Sequence, residues 1–139
     1  LACVLFGAAA WQCAARDRFL GWDQPTRQRA LAQVSNQSRF LILPWVQAPH
    51  LASHVLGRIS RRVRRDWRGK YGTLLSVVET FVEIGRFQGT CYRAANWMAV
   101  GQTSGRSRQD RHHRLVVPPK AVYLYPLVKS FRQELGVAP

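Results

Sequence analysis

The chain has 139 residues and 47% of them are apolar, so it is long enough to bury one hydrophobic core without metal ions or disulfide bonds. Its formal charge of +14 at pH 7 disfavours a basic partner and favours an anionic one. The three cysteines, Cys3, Cys13 and Cys91, have no metal-ligand spacing, so the sequence indicates neither a disulfide framework nor a zinc site and fits a reducing, cytoplasmic setting.

Arginine supplies almost all of the positive charge. The lysines are Lys70, Lys120 and Lys129 alone, among 21 basic residues that face only 7 acidic ones. The planar guanidinium pairs with phosphate through two hydrogen bonds and stacks on bases, so this composition points to nucleic acid or a phosphorylated ligand. A GC-rich genome also favours arginine over lysine, but it does not explain the small number of acids.

The first element is predicted from an apolar run. Leu1 to Trp11 fits a strand buried on both faces, although Ala8 to Ala15 could equally begin a helix. The run is shorter than the roughly 20 residues that a membrane span needs, so no membrane contact is predicted. Because the chain opens directly on this strand, without Met, we expect residues 1–139 to be a single domain from a longer chain, with further strands upstream.

Charged and turn-forming residues separate the next elements. Arg16 to Asp23 is predicted to be a loop. A helix should follow, to about residue 34, because Asp23 or Thr26 can cap it and Pro25 suits its first turn.

Two apolar strands are predicted at the middle of the sheet. Asn36 to Ser38 is expected to be a turn, and Arg39 to Val46 a strand too apolar to face water on either side. Such strands are typical of central positions with parallel neighbours. Leu74 to Val82 is the second of them.

The helix between these strands, Pro49 to Trp67, has the clearest periodicity in the chain. At about 100° per residue, one arc is apolar and the opposite arc is basic. The apolar arc comprises Leu51, Ala52, Val55, Leu56, Ile59, Val63 and Trp67, and the basic arc comprises His54, Arg58, Arg61, Arg65 and Arg68. One face therefore belongs to the core.

The basic arc has little neutralising charge, since Asp66 is the only acid among its arginines and like charges one turn apart repel. A solvated face is the plain interpretation, but an anion that covers it makes the arrangement easier to understand. We therefore predict that nucleic acid contacts this helix and a basic, flexible loop at 102–114, which could also be merely mobile. The residues expected to contact phosphates are Arg58, Arg61, Arg62, Arg65, Arg68, Arg106, Arg108 and Arg111.

The C-terminal half continues the alternation of helices and strands. Apolar runs predict a helix and a strand before the basic loop, and a further strand and a final helix after it. Their bounds are Phe87 to Asn96, Trp97 to Gly101, Gln102 to Arg114, Val122 to Tyr125 and Leu127 to Leu135. Asn96 should end its helix in the left-handed conformation that asparagine tolerates.

Glu79 and Tyr92 are the candidate catalytic residues. Glu79 lies in an otherwise apolar strand, so it is either paired, with Arg93 as a candidate partner, or a base with a raised pKa. Tyr92 lies one turn before a helix end, beside that strand. His50 and His54 are four residues apart but lack a third ligand, so no metal site is predicted, and His50 near a helix N-terminus suits an anion.

Several stretches of the chain match one known family. They are Arg16-Asp17, Gly21-Trp22, Ser38 to Val46, Leu51 to Ser53, Asp66-Trp67, Tyr71-Gly72, Glu79 to Val82 and Gly89 to Gly101. On these motifs the chain resembles the family of DruA, the anti-phage protein of Druantia defence systems, which is also found beside transposases. Ser107 departs from the family pattern, which reads Gly-Arg-Gly-Arg there.

Tyr92 to Gly101 also resembles the closing segment of Gcn5-related N-acetyltransferases, with Tyr92 at the position of their general acid. The resemblance implies an acyltransferase in which Glu79 or a strand-bound water is the base. It also implies that acyl-coenzyme A would enter between two parallel strands, with its pyrophosphate on Gln47, His50, Leu51, Ala52 and Ser53. His50 stands where that family has a glycine, whose missing side chain lets the backbone approach pyrophosphate.

The expected fold is α/β, a mixed central sheet of about five strands with flanking helices and an acetyltransferase-like topology. The expected function is a nucleic-acid-binding component of an anti-phage defence system or transposable element, with DNA favoured over RNA. The alternatives are an acyltransferase that uses acyl-coenzyme A, and a scaffold that recruits a helicase or transposase partner.

Overall fold

The computed structural model describes residues 2–42, 50–84, 89–103 and 118–137. In that part of the chain, five strands form one mixed sheet, and helices pack on both of its faces. The predicted fold class is therefore confirmed as a mixed α/β sheet, while the acetyltransferase-like topology stays a prediction.

Strands and helices alternate along much of the chain. The strands are β1 (Ala2–Ala8), β2 (Val34–Ile42), β3 (Val77–Glu83), β4 (Met98–Gln102) and β5 (Lys120–Pro126). The helices are α1 (Ala14–Leu20), α2 (Gln24–Ala30), α3 (Leu51–Tyr71), α4 (Thr90–Ala94) and α5 (Phe131–Glu134), and a single 3-10 turn, Leu31–Gln33, joins α2 to β2.

The sheet has the order β1-β2-β3-β5-β4. β2 and β3 are parallel, as expected for the two central strands, and every other pair is antiparallel. The parallel pairing joins only 34–36 of β2 to 77–79 of β3. In the described residues, the backbone pairing of the two strands is therefore confined to their beginnings.

The sheet separates two hydrophobic cores, because successive side chains of a strand point to opposite faces. Val77 of β3 packs in the core beneath α1, α2 and α5, whereas Val78 packs in the core beneath α3 and α4. Leu56 and Val63 of α3 are buried in the second core, and Ile59 and Trp67 pack against it, so the predicted apolar arc is confirmed for these four residues.

The N-terminal part differs from the prediction in two ways. Arg16 to Asp23 is not a loop, because α1 runs to Leu20 and ends at Gly21 in the left-handed conformation, φ 77°. β1 is a strand, but it lies at the edge of the sheet and is not buried on both faces, since Leu5 is 53% exposed.

β2 begins earlier than predicted. Asn36 to Ser38 belongs to the strand and is not a turn. The Thr80 hydroxyl donates to the Gln37 carbonyl over 2.9 Å, and such tertiary hydrogen bonds satisfy polar groups inside a strand. The end of β2 also faces water, since Leu41 is 52% exposed.

The helix caps agree with the prediction. Asp23 caps α2 by accepting a hydrogen bond from the Thr26 amide over 2.9 Å, and Pro25 occupies the first turn. Asn96 follows α4 in the left-handed conformation, with φ 70°. α3 extends one turn beyond its predicted end, to Tyr71.

Candidate nucleic-acid interface and central cleft

α3 presents a basic face to solvent, opposite the residues that it buries. Leu56, Ser60 and Val63 point into the core, and the exposed arginines lie on the opposite side of the helix. We call its exposed arginines the basic face: Arg58, Arg61, Arg62, Arg65 and Arg68. The structure therefore brings together all the residues of this helix that were predicted to contact phosphates.

Asp66 is the only acidic residue of α3 and cannot neutralise the basic face. Its carboxylate lies 3.7 Å from Arg62 Nε and 3.9 Å from Arg65 Nε, and all three side chains are more than half exposed. Water screens such pairs, which contribute little to stability. One carboxylate shared by two guanidiniums leaves the face with an excess of positive charge.

Arg64 lies on the same helix but supports the fold. Its two terminal nitrogens each donate to the Glu134 carboxylate over 2.8 Å, and one of them also donates to the Leu75 carbonyl over 3.1 Å. Hydrogen bonds from Arg64, with a smaller one from Ser76, hold the pKa of Glu134 below its usual range. Arg64 therefore ties α3 to α5.

A groove of about 680 Å³ lies between α3 and β1, and we call it the α3–β1 groove. Arg62 and Lys70 line its α3 side, and Val4 to Phe6 line its β1 side. Trp67 and Tyr71 also line it, and their ring centroids are 4.5 Å apart. The groove thus combines cations with aromatic rings.

A second opening, the central cleft, lies where β2 and β3 stop pairing. Beyond Asn36 and Glu79, no further pairs join these strands in the described residues. The cleft has a volume of about 590 Å³ and is lined by residues that include Gln37, Thr80 and Tyr92. Polar groups therefore lie at its floor.

Tyr92 is buried at the floor of the central cleft and is 8% exposed. Its hydroxyl donates to Gln37 Oε1 over 2.5 Å, and its ring packs against Trp97 and Tyr123. Burial raises the pKa of Tyr92 to about 12, so the phenol keeps its proton at neutral pH. Gln37 Nε2 is buried and has no hydrogen-bond partner among the described residues.

Glu79 does not share this cleft with Tyr92. It neighbours Thr80 on β3 and so points to the other face of the sheet. There Arg16 donates to its carboxylate over 2.8 Å, and both side chains are fully buried. Burial raises the pKa of Glu79, and the Arg16 guanidinium opposes that shift. Of the two interpretations of Glu79, the geometry fits structural pairing, with Arg16 as the cation.

The residues predicted to cradle a pyrophosphate lie at the start of α3. Gln47 is outside the described residues, and His50 adopts the left-handed conformation, φ 59°, at the N-cap. Leu51, Ala52 and Ser53 form the first turn of α3, and Ala52 lines the central cleft. The predicted cradle therefore adjoins the cleft.

Three further predictions concern the basic loop, metal ions and membrane spans. Arg106, Arg108 and Arg111, with most of the predicted loop at 102–114, lie outside the described residues. Within the described ranges, no group of three or more His, Cys, Asp or Glu is placed to hold a metal ion. Among the helices that the structure describes, none has both the length and the apolar character of a membrane span.

Sequence reasoning missed two residues of these sites. Gln37 falls in the segment predicted as a turn, and its contact with Tyr92 joins residues 55 positions apart, which no local pattern reveals. Tyr71 lies beyond Trp67, the predicted end of this helix. A four-residue spacing from Val63 through Trp67 would have placed it on the same side of α3.

A family model matches most of the chain. The family model described as "Druantia protein DruA" matches residues 1–117. That stretch contains β1 through β4, and with them the basic face, the α3–β1 groove and Tyr92. No curated protein matches the chain at a significant level.

Proposed function

The chain belongs to the Druantia DruA family of anti-phage defence proteins, and from that premise we propose that it binds nucleic acid through the basic face of α3. The observation that carries the proposal is the row of exposed guanidiniums opposed by a single shared carboxylate, Asp66. Arginine pairs with phosphate in two-point fashion, so such a row suits a phosphate backbone.

The arginines that stabilise the fold differ from those of the basic face. Arg16 is fully buried and paired with Glu79, and Arg64 forms a two-point pair with Glu134. In the described residues, the basic face has only Asp66 as a carboxylate partner. Its charges are therefore available to an anion from outside.

The dimensions of α3 favour DNA over RNA. Arg58 to Arg68 spans ten residue steps, or about 15 Å of helix. A DNA duplex carries one phosphate charge per roughly 1.7 Å of its axis, so several phosphates lie within this length. The major groove of B-DNA admits an α-helix, whereas the deep, narrow major groove of RNA does not.

Charge reversal tests the proposal. We expect Arg58→Glu, Arg61→Glu and Arg65→Glu together to weaken duplex binding about 100-fold at moderate salt, because repulsion replaces phosphate contacts. The matched control reverses Arg18 of α1, Arg29 of α2 and Lys129 in the turn before α5, which are exposed away from α3 and give the same change in net charge. Fluorescence anisotropy with a labelled duplex measures both variants.

The control should lose less than about tenfold, since distant charges act only through the screened field of the whole protein. Equal losses in both variants would show that net charge, and not the basic face, governs binding. Retention of full affinity in the basic-face variant would reject the proposal outright.

The central cleft supports acyl transfer as a second candidate function. Two observations favour acyl transfer. β2 diverges from β3, and the protonated hydroxyl of Tyr92 lies between the two strands. The residues present fit acyl-coenzyme A in part: the first turn of α3 adjoins the cleft, but Glu79 faces away and His50 carries a side chain where a glycine is wanted. Bound acyl-coenzyme A would supply the activated acyl group, Tyr92 a proton, and water the base.

Calorimetric titration with coenzyme A separates this candidate from the first. Acyl transfer requires heat of binding and protection of the amides at 50–53 from hydrogen exchange. Tyr92→Phe should then bind coenzyme A as the wild type does, because it removes the hydroxyl and keeps the ring. If neither heat nor protection is seen, acyl transfer is excluded and nucleic-acid binding is unaffected.

A further inference from the structure

We propose that the α3–β1 groove binds unpaired bases of single-stranded nucleic acid, with Tyr71 as the stacking surface. This inference rests on the proposed function, since the same helix supplies the phosphate contacts. The basic face accounts for attraction to a backbone. The groove beside it adds a means of recognising bases.

Tyr71 is an aromatic ring left largely in water. It is 55% exposed at the last position of α3, and it contacts Trp67 one turn earlier. Trp67 is half-buried and packs against the core beneath α3, so it fixes the position of the ring. Every base has a π-face, and a fixed, exposed ring provides a surface for stacking that does not depend on sequence.

Cations flank this ring along the groove. Lys70 Nζ lies 5.4 Å from the centre of the Tyr71 ring. Arg62 and Arg58 line the same wall about two and three turns further towards the start of α3, so along the helix axis Lys70 and Arg62 are about 12 Å apart and Arg62 and Arg58 about 6 Å. Asp66 also lines this wall, and its carboxylate lies 3.7 Å from Arg62 and 3.9 Å from Arg65, both largely exposed, so it offsets only part of the charge. A backbone can therefore follow the wall while a base covers Tyr71.

The floor and size of the groove favour a single strand over a duplex. Phe6, Ile59 and Val63 contribute apolar surface, which suits the face of a base. A volume of about 680 Å³ falls within the range of clefts that hold small ligands. A duplex keeps its bases stacked inside and offers only phosphates and base edges, so it cannot use the Tyr71 ring.

The test compares two probes on the full chain: labelled oligothymidylate of about 15 nucleotides and a duplex of the same length. We expect Tyr71→Ala to weaken binding of the oligothymidylate about tenfold and to leave duplex binding unchanged. Tyr71→Phe keeps the ring and should bind within about twofold of the wild type. Tyr71→Leu keeps apolar area without a flat ring and should resemble Tyr71→Ala. Oligouridylate should depend on Tyr71 in the same way, because stacking does not require deoxyribose.

Each result decides one question. If Tyr71→Ala binds oligothymidylate as well as the wild type, or loses both probes equally, the groove is not a stacking site while duplex binding by the basic face stands. If the wild type binds neither probe, the proposed function itself is wrong. A loss confined to the single strand, reversed in Tyr71→Phe, supports the inference.

Discussion

Arg16 and Glu79 form a buried ion pair that joins α1 to β3. Both side chains have 0% exposure, and the guanidinium also bonds to Asp17 over 3.0 Å. Asp17 in turn accepts hydrogen bonds from Trp22 and Arg27. This network fixes α1 on the sheet, and it makes Glu79 a structural group.

Removal of one partner should therefore destabilise the fold. We expect Glu79→Gln to lower the free energy of unfolding by about 3 kcal/mol, because it removes the fully buried counter-charge of Arg16 and leaves that guanidinium only the partly exposed carboxylate of Asp17. Urea unfolding monitored by circular dichroism measures the change. The double variant Arg16→Met, Glu79→Leu should recover much of the loss, since well-packed apolar side chains can replace a buried pair. A Glu79→Gln variant as stable as the wild type would contradict this role.

At the scale of elements, α3 combines two kinds of arginine. The basic face points to solvent, whereas Arg64 meets Glu134 of α5 through two hydrogen bonds of 2.8 Å. The second kind should affect stability and leave nucleic-acid affinity unchanged. A variant at this pair therefore serves as a fold-specific control for variants of the basic face.

The pair should make stability depend on pH. Because Arg64 lowers the pKa of Glu134 from its ordinary 4.5, the stabilisation is present above that value and is lost as the pH falls through the lowered pKa. We expect Glu134→Gln to be about 1–2 kcal/mol less stable than the wild type at pH 7. Urea unfolding from neutral pH to about pH 3 should show the two proteins converge in acid. A difference that stays constant over this range would contradict the assignment.

Sequence reasoning found the elements whose contacts are local and missed those that depend on distant partners. The helical periodicity of α3, about 100° per residue, predicted both its core side and its basic face. Arg16 looked like a loop residue because its counter-charge, Glu79, lies 63 positions away. Gln37 looked like a turn residue because its partners, Thr80 and Tyr92, belong to other elements.

The α3–β1 groove could not be predicted for the same reason, and an opening between the parallel strands was expected only from the acetyltransferase resemblance. The α3–β1 groove depends on how an edge strand lies beside a helix, and the central cleft depends on where the pairing of β2 with β3 stops. Each opening depends on how two separate segments of the chain pack, which the sequence of one segment does not reveal. The basic face, by contrast, needs only one helix, and its residues were identified in advance.

At the scale of the whole molecule, α3 links the three features considered as sites. Its first turn adjoins the central cleft, its outer side carries the basic face, and its last turn lines the α3–β1 groove. The formal charge of +14 acts over all of them and should speed encounter with a polyanion. A helicase or transposase partner stays a prediction from the family resemblance.

The most direct test of nucleic-acid binding by the basic face is the salt dependence of duplex affinity. We predict that the logarithm of the binding constant falls linearly with the logarithm of the salt concentration, with a slope of about −4.5 if all five arginines of the face contact phosphates. The variant with Arg58, Arg61 and Arg65 reversed should have a slope shallower by about 3. An affinity that does not change with salt, or the same slope in both proteins, would contradict the proposal.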